Sequence, residues 1–144
     1  MAEKNNKKVE EKGRAEGNEK QRAMVELKIL VPQAKEVKAH LENVDSQIQD
    51  LLQTKKALME IVDCKEGSPM LAQLATGMFV KAELKNVKNV VLNVGANTGV
   101  EKTIEEANKL VETQMEEIQQ VRSHFIRQFE ALRERITQLH TILE

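Results

Sequence analysis

The stretch of residues 70–103, MLAQLATGMFVKAELKNVKNVVLNVGANTGVEKT, decides the fold of this chain. It contains three of the six glycines, and its apolar residues alternate with polar ones, whereas the flanking sequence has helical spacing. Alternation interrupted by glycine-containing turns is typical of β-hairpins. The pattern predicts two successive hairpins, with strands at residues 70–74, 78–84, 90–94 and 100–102.

Two hairpins of this size cannot close a barrel within one chain, because their short strands leave unpaired edges. Proteins usually cover such edges or pair them with the strands of another chain. We therefore expect residues 67–102 to be an assembly region that joins this chain to other subunits.

The composition indicates long helices rather than a compact globular core. Of the 144 residues, 31% are charged and 2% are aromatic, with neither Trp nor Tyr. A chain of this kind has little core of its own and is expected to oligomerise. The net charge of −1 argues against nucleic acid as a partner. No apolar run approaches the roughly 20 residues of a membrane span, so no membrane partner is expected.

The first 21 residues mix Lys, Glu, Asn and Gly with almost no apolar side chains. This composition predicts a disordered charged arm at residues 1–21. The arm has no apolar stretch of the kind found in secretory signals. The single cysteine, Cys64, excludes an internal disulfide and fits a reducing compartment, so we expect a cytoplasmic protein.

Residues 22–66 have the heptad pattern of a coiled coil, which needs a partner helix. Apolar residues form the two rows of a seam: Leu27, Ala34, Leu41, Ile48 and Val62 in one row, and Leu30, Val37, Val44, Leu51 and Leu58 in the other. Pro32 interrupts this pattern, so the helix either begins near Pro32 or is kinked or frayed there. The seam residues upstream of Pro32 favour the second alternative.

A second helix is predicted over residues 103–144. Thr103 followed three positions later by Glu106 matches a capping box. Apolar residues then recur at intervals of three or four up to Leu143. Because the two helices have similar lengths and flank a short β region, we expect them to pair antiparallel, each covering the seam of the other.

Candidate chemistry is sparse. Residues 95–103 superficially resemble a phosphate-binding loop, but Glu101 would repel an anion and Lys102 does not directly follow a glycine, so we interpret them as turn residues. Cys64 has no activating neighbour in the sequence. The three histidines lack the paired spacing of metal ligands: His40, His124 and His140. We predict no catalytic residue, no metal site, no cofactor and no enzyme activity.

The apolar residues at the outer ends of the two helices allow two interpretations. These residues are Met24 near the start of the first helix, and Ile136, Leu139, Ile142 and Leu143 near the end of the second. In an antiparallel pair these ends meet. The side chains there either pack between the helices as ordinary seam residues, or face solvent and bind unfolded chains without sequence preference.

The order of helix, double hairpin and helix, together with the sequences MFVKAEL, NVVLNVGANTGVEKT and EEANKL, resembles the alpha class of prefoldin subunits. The likeness is strongest over residues 71–114. Residues 72–75, Ala-Gln-Leu-Ala, depart from the family pattern, which often has Val-Pro-Val or Val-Pro-Leu there. The extended N-terminal arm is a second departure.

The resemblance implies a mainly α-helical protein with a small β region. In it, a long antiparallel coiled-coil hairpin is joined by two β-hairpins that build a β-barrel platform in the oligomer. It also implies a hetero-hexamer of two alpha-class and four beta-class subunits. The coiled-coil ends would hold non-native client proteins without ATP and pass them to a group II chaperonin.

Carried over to this chain, the resemblance assigns two sets of residues. The client-binding residues would be Met24, Leu27, Leu30, Val31, Ile136, Leu139, Ile142 and Leu143. The subunit-assembly residues would be Met78, Val80, Leu84, Val90, Leu92, Val94 and Val100. The alternative hypothesis is a structural or adaptor coiled coil that joins another complex without binding clients.

Overall fold

The structure, a computed structural model, describes all residues from 1 to 144. Its elements are α1 (Ala2–Val62), β1 (Pro69–Ala75), β2 (Met78–Glu83), β3 (Asn89–Asn93), β4 (Gly99–Thr103) and α2 (Ile104–Leu143). β1 pairs with β2 and β3 pairs with β4, both antiparallel, in two separate two-stranded sheets. The predicted fold class, two long helices joined by two β-hairpins, is confirmed, and neither sheet closes a barrel within the chain.

The chain divides into two compact units. Unit 1 contains Met1–Asp45 and Gln120–Glu144, and unit 2 contains Ser46–Gln119. Each unit therefore holds part of α1 and part of α2, and unit 2 also holds all four strands. Neither long helix has a stretch apolar enough to cross a membrane.

In unit 1 the helices pack through the predicted seam. Ala23, Val44 and Leu139 are buried there. Further seam residues of α1 are half-buried: Leu27, Leu30, Ala34, Val37 and Leu41. The heptad pattern therefore identified the packed face of α1 in unit 1.

Two ion pairs show the direction of helix pairing in unit 1. Glu26 of α1 pairs with Arg135 of α2, and Asp45, later in α1, pairs with Arg122, earlier in α2. The residue numbers therefore run in opposite directions along the two helices, which is the predicted antiparallel arrangement.

Helix α1 begins at Ala2, so the structure differs from the prediction of a disordered arm over residues 1–21. The segment contains no proline, and an acidic residue precedes a basic one by four positions at three places: Glu3 and Lys7, Glu10 and Arg14, and Glu16 and Lys20. This spacing stabilises an isolated helix. All residues up to Arg22 are exposed, so no packed apolar face holds this part of α1.

Pro32 lies inside α1, which continues through it without a break. The alternative in which the helix begins near Pro32 is therefore wrong. The seam residues Leu27 and Leu30 lie upstream of Pro32 and are half-buried, so packing against α2 holds the helix on both sides of the proline. Because proline has no N–H, the carbonyl of Lys28 lacks its usual helical donor.

Unit 2 has a small core where the end of α1, the start of α2 and the second hairpin meet. Its buried residues are Leu58, Ile104, Ala107 and Val111, against which Leu51, Ile61, Val90 and Leu92 pack. Ile61, and not Val62, continues the seam, since Val62 is 60% exposed. The prediction that Val62 belongs to the seam is wrong, because Ile61 packs against the core three residues after Leu58 and Val62, the last residue of α1, lies outside it.

β1 and β2 form the first hairpin, which turns at Thr76 and Gly77. Gly77 has a φ of +77°, in the left-handed region that glycine adopts without a steric cost. The register of the ladder shifts between Gln73 and Ala75, so Leu74 has no partner on the opposite strand. Such an irregularity bends and twists a strand locally.

β3 and β4 form the second hairpin, and residues 95–98 form its turn, one residue shorter than the predicted turn at residues 95–99 because β4 begins at Gly99. Gly95, Ala96 and Asn97 all have positive φ in this turn. At Gly99, which begins β4, an added Cβ would lie 2.9 Å from Cγ1 of Val91. The close approach of Val91 therefore favours glycine at this position.

Thr103 and Glu106 form the predicted capping box at the start of α2. The Glu106 N–H donates to Thr103 Oγ1 at 3.1 Å, and the Thr103 N–H donates to Glu106 Oε2 at 3.2 Å. The Ile104 N–H donates to the carbonyl of Lys88 at 3.0 Å. These bonds connect the start of α2 to both ends of the second hairpin.

Candidate functional site

The side chains that could support catalysis or bind a metal do not form a constellation. His40 stacks on Phe125 with the ring centroids 5.3 Å apart, and His124 lies edge-on to the same ring at 5.9 Å. Cys64 is exposed, and its thiol donates to the carbonyl of Glu60 at 3.2 Å. No three His, Cys, Asp or Glu side chains are grouped as ligands of a metal ion. The exposed apolar surfaces are the stronger candidates for function.

The first hairpin exposes six large apolar side chains, which we call the hairpin surface: Met70, Leu71, Leu74, Met78, Phe79 and Val80. In the ladder Ala72 lies opposite Val80 and Gln73 lies opposite Phe79. Because side chains alternate across a strand, Val80 and Phe79 lie on opposite faces of the sheet. Both faces of this hairpin are therefore apolar and open to solvent.

A hairpin of this kind is poorly stabilised by its own chain. An isolated two-stranded hairpin is marginally stable in water, and the buried core of unit 2 includes no residue of β1 or β2. Its outer edges also present unpaired N–H and C=O groups. Contiguous exposed apolar surface next to open strand edges is typical of a surface that binds another polypeptide.

The predicted assembly residues divide into two groups. Met78, Val80 and Val94 are exposed, whereas four others are half-buried: Leu84, Val90, Leu92 and Val100. Val90 and Leu92 pack against the core of unit 2. These two side chains therefore hold the second hairpin to the helices of the same chain, and a partner subunit would reach them only in part.

Five exposed apolar residues of the hairpins lie outside the predicted assembly residues: Met70, Leu71, Leu74, Phe79 and Val91. The signal was present, because apolar residues occupy both phases of the alternation in this stretch. A strand with one face on a core and one face in water alternates cleanly, whereas a strand that is covered on both faces does not. Apolar residues in both phases of the alternation therefore indicate strands whose two faces are both covered, here by another chain.

In unit 1, the N-terminal part of α1 passes the end of α2, where the Lys20 ammonium lies 3.5 Å from the carbonyl of Leu143. We call residues 20–32 of α1 together with residues 135–143 of α2 the terminal end. Of the predicted client-binding residues only Met24 is exposed there, and Leu139 is 1% exposed. The others are half-buried: Leu27, Leu30, Val31, Ile136, Ile142 and Leu143. Leu139 thus fits the interpretation as an ordinary seam residue.

The terminal end exposes a second set of apolar residues that the heptad analysis missed. Met24, Val25 and Ile29 are 57%, 56% and 55% exposed, and Pro32 is also exposed. We call these four residues the outer patch. The signal that could have found them is a row at intervals of four and three, Val25, Ile29 and Pro32, outside both phases of the seam.

A charged pair connects the two helices at the terminal end. Arg135 donates two hydrogen bonds to Glu26, from Nε at 2.7 Å and from Nη2 at 2.8 Å. The hydrogen bonds and positive charge of Arg135 hold the pKa of Glu26 below its ordinary value of 4.5, and Glu26 in turn raises the pKa of Arg135. Two parallel hydrogen bonds give an Arg–carboxylate pair a defined geometry.

The family model for prefoldin subunits matches residues 30–144 of the chain. The chain belongs to the prefoldin family. Prefoldin subunit alpha of Methanococcus vannielii is 25% identical over 126 residues, which cover 88% of this chain and 84% of that protein. Prefoldin subunit alpha of Methanococcus maripaludis is 28% identical over 104 residues, covering 72% of this chain and 70% of that protein. The predicted resemblance to alpha-class prefoldin subunits is confirmed.

The prefoldin fold has a further parallel among solved structures. A chain of the filamentous PFD from Methanocaldococcus jannaschii, determined by cryo-EM, superposes with a TM-score of 0.68 at 23% sequence identity. The match covers 79% of this chain and 94% of the other. The match to the prefoldin family model begins at residue 30, so the first 29 residues, including most of the outer patch, precede it.

Proposed function

We propose that the chain is the alpha-class subunit of an ATP-independent chaperone. Its hairpins assemble with beta-class prefoldin subunits in a hetero-hexamer, and its terminal end holds unfolded proteins and passes them to a group II chaperonin in the cytoplasm. Membership of the prefoldin family supports a chaperone subunit. The observation that carries the proposal is the hairpin surface, which is apolar on both faces and exposed.

Assembly follows from the free energy of covering that surface. A large apolar side chain contributes roughly 1.5–3 kcal/mol when it passes from water to a packed interface. Six such side chains would offset the cost of association, which is about 4–15 kcal/mol, only if most of them are buried together. Strand pairing between subunits would do this, because it also satisfies the unpaired edge groups.

Client binding is proposed for the terminal end. Met24 is exposed in the structure, and the half-buried side chains of Leu27, Leu30, Ile142 and Leu143 present part of their apolar surface. Ile142 and Leu143 lie at the end of α2, where helices fray most readily, whereas Leu27 and Leu30 lie inside α1. Leu139 is enclosed between the helices, so it would contact a client only after α1 and α2 separate locally.

Two measurements on one preparation test the proposal. The chain is co-purified with a beta-class prefoldin subunit and its native mass is determined. The complex is then added without ATP to a client diluted from denaturant, and light scattering is followed. We expect a hexamer mass and suppression of aggregation at stoichiometric amounts. A complex that assembles and leaves the scattering unchanged would overturn the chaperone proposal.

Matched variants locate the assembly surface. Replacing both Leu71 and Phe79 with Lys should abolish the hexamer while leaving the helical circular dichroism signal unchanged, because neither side chain belongs to the core of unit 2. The control is Met59→Lys, which also introduces a charge at an exposed apolar residue but lies on α1. An equal loss of hexamer in the control would contradict the assignment of the hairpin surface.

The adaptor hypothesis remains as a second candidate because Leu139 is buried and most predicted client-binding residues are half-covered. Deleting residues 1–31 of α1 and residues 136–144 of α2 distinguishes the two. A chaperone should lose suppression of aggregation and keep its oligomer. An adaptor should show no suppression before the deletion and keep its partners after it.

A further inference from the structure

The outer patch lies on the side of α1 that faces away from α2. Ala23 is 3% exposed and marks the side of α1 that packs on α2, whereas Val25 and Ile29 are more than half exposed. Val25, Ile29 and Pro32 follow one another at intervals of four and three, so they form one row on the helix surface. This row is separate from the seam, and it is exposed without any separation of the helices.

Free cations border the outer patch on both sides. Arg22 stands three residues before Val25, Lys28 three residues after it, and Lys35 three residues after Pro32. Residues three apart are neighbours on a helix surface. All three cations are exposed, and none of them forms an ion pair or a side-chain hydrogen bond.

The acidic residues nearby do not neutralise these cations. Glu26 is engaged by both hydrogen bonds of Arg135. Glu36 follows Pro32 by four positions, and its carboxylate lies 3.9 Å from Nε2 of His40. The outer patch is therefore an apolar row with a net positive border within α1.

Pro32 adds a main-chain acceptor to the outer patch. Because it has no N–H, the carbonyl of Lys28 is left without the donor that a helix normally supplies. Lys28 and Pro32 are both exposed. An extended polypeptide carries backbone N–H groups that are free to donate to such a carbonyl, whereas a folded surface has few of them.

We propose that the outer patch is a client-selecting surface that prefers unfolded segments in which Asp or Glu residues lie among apolar ones. The apolar row takes the apolar side chains, the cationic border takes the carboxylates, and the Lys28 carbonyl accepts a backbone N–H. This inference rests on the proposed chaperone function and adds a charge preference to it. Most of the surface precedes the segment that matches the family model.

The experiment measures binding of two fluorescently labelled, unstructured peptides to the assembled complex by anisotropy. The peptides share one pattern of Leu and Phe residues, and one carries Glu where the other carries Lys. We expect the acidic peptide to bind about tenfold more tightly, a difference of 1.4 kcal/mol. The ratio of the two affinities should shrink as the salt concentration is raised, since salt screens the charges of exposed cations.

Two variants and a control separate the contribution of the cationic border to peptide binding from that of the apolar row. Changing Lys28 and Lys35 to Glu should cancel or reverse the preference for the acidic peptide. Changing Val25 and Ile29 to Ser should weaken binding of both peptides. The control, Lys4→Glu with Lys12→Glu, makes the same charge change in the exposed first part of α1 and should leave the ratio unchanged.

The outcomes distinguish this inference from the proposed function. A complex that suppresses aggregation and binds both peptides equally would overturn the charge preference and leave the chaperone function standing. The charge preference would also be overturned if the control pair changed the ratio of affinities as much as the Lys28 and Lys35 pair does. Binding of the complex to anionic phospholipid vesicles in place of either peptide would assign the surface to membranes instead and overturn the client assignment.

Discussion

The two hairpins of unit 2 have similar lengths and opposite surroundings. In the second hairpin Val90 and Leu92 pack on the core made by Leu58, Ile104, Ala107 and Val111. In the first hairpin six large apolar side chains are exposed on two faces. Similar strands thus serve different purposes: one hairpin completes the fold of its own chain, and the other has its apolar surface available for another subunit.

The difference lies in how each hairpin is attached to the helices. β4 runs directly into α2, and the Ile104 N–H bonds to the Lys88 carbonyl before β3, so both ends of the second hairpin are fixed to the helix. The first hairpin follows α1 through a short segment containing Gly67, and its strands are closed by bonds between Gly67, Ser68 and Leu84. It is thus tied to itself more than to a helix.

The largest difference between the hairpins is expected when the apolar packing around each is reduced by one side chain. Leu58→Ala should lower the free energy of unfolding of the chain by about 2–5 kcal/mol, because it leaves a cavity under the second hairpin. Leu71→Ala should change it by less than about 0.5 kcal/mol, since Leu71 is exposed. Urea titrations followed by circular dichroism measure both, and similar losses would show that the first hairpin also belongs to the core.

The capping box tests how the second hairpin is attached to α2. Thr103→Ala should cost about 1 kcal/mol, because the Glu106 N–H loses its acceptor at the junction of β4 and α2. Thr113→Ala is the matched control: its hydroxyl donates to the Lys109 carbonyl within α2. This control should be neutral or slightly stabilising, since alanine is the better helix former. A loss in the control equal to that of Thr103→Ala would argue against the cap.

A local change at Gly77 sharpens the comparison. Alanine at its positive φ should cost about 1–2 kcal/mol within the first hairpin. Amide hydrogen exchange in β1 and β2 should therefore accelerate, while exchange in β3, β4 and the start of α2 should stay the same. Gly13→Ala, in the helical first part of α1, is the control and should leave exchange in both hairpins unchanged. Faster exchange in all four strands would show that the two hairpins open together.

The smallest effect on stability is expected on acidification, and it concerns the pair of Glu26 and Arg135 in unit 1, outside both hairpins. Arg135 lowers the pKa of Glu26, so this pair contributes stability above the ordinary glutamate pKa of 4.5 and loses it as the pH falls through the lowered value. The melting temperature should therefore fall slightly more on acidification in the natural chain than in Glu26→Gln. High salt should reduce this difference because the pair is exposed. A larger acid loss in Glu26→Gln would contradict the assignment.

The sequence was most informative where structure is set locally. The alternation in residues 78–84 and the Thr103 capping box depend on neighbours within a few positions, and both are present in the structure. The heptad spacing likewise identified the buried Val44 and Leu58. Each of these features follows from the geometry of a single strand or helix.

Tertiary surroundings decided what the sequence left open. Val90 and Val91 are adjacent and chemically identical, yet Val90 packs on the core and Val91 is 72% exposed. Which of the two faces inward depends on the side from which the helices approach, and that is not encoded in the alternation. The outer patch was missed for a related reason, since a heptad analysis counts only the residues between two helices.

The first part of α1 has a property that differs from every other helical segment of the chain. Residues 2–21 extend from a helix already nucleated at Ala23, where packing on α2 begins. Nucleation is the unfavourable step of helix formation and propagation is nearly neutral, so each added residue there lies close to the balance between helix and coil. Gly13 and Gly17 lower the propensity further. The boundary between helix and coil should therefore move toward Arg22 on warming and back toward Ala2 on cooling, so that the length of α1 varies with temperature while the rest of the chain keeps its fold.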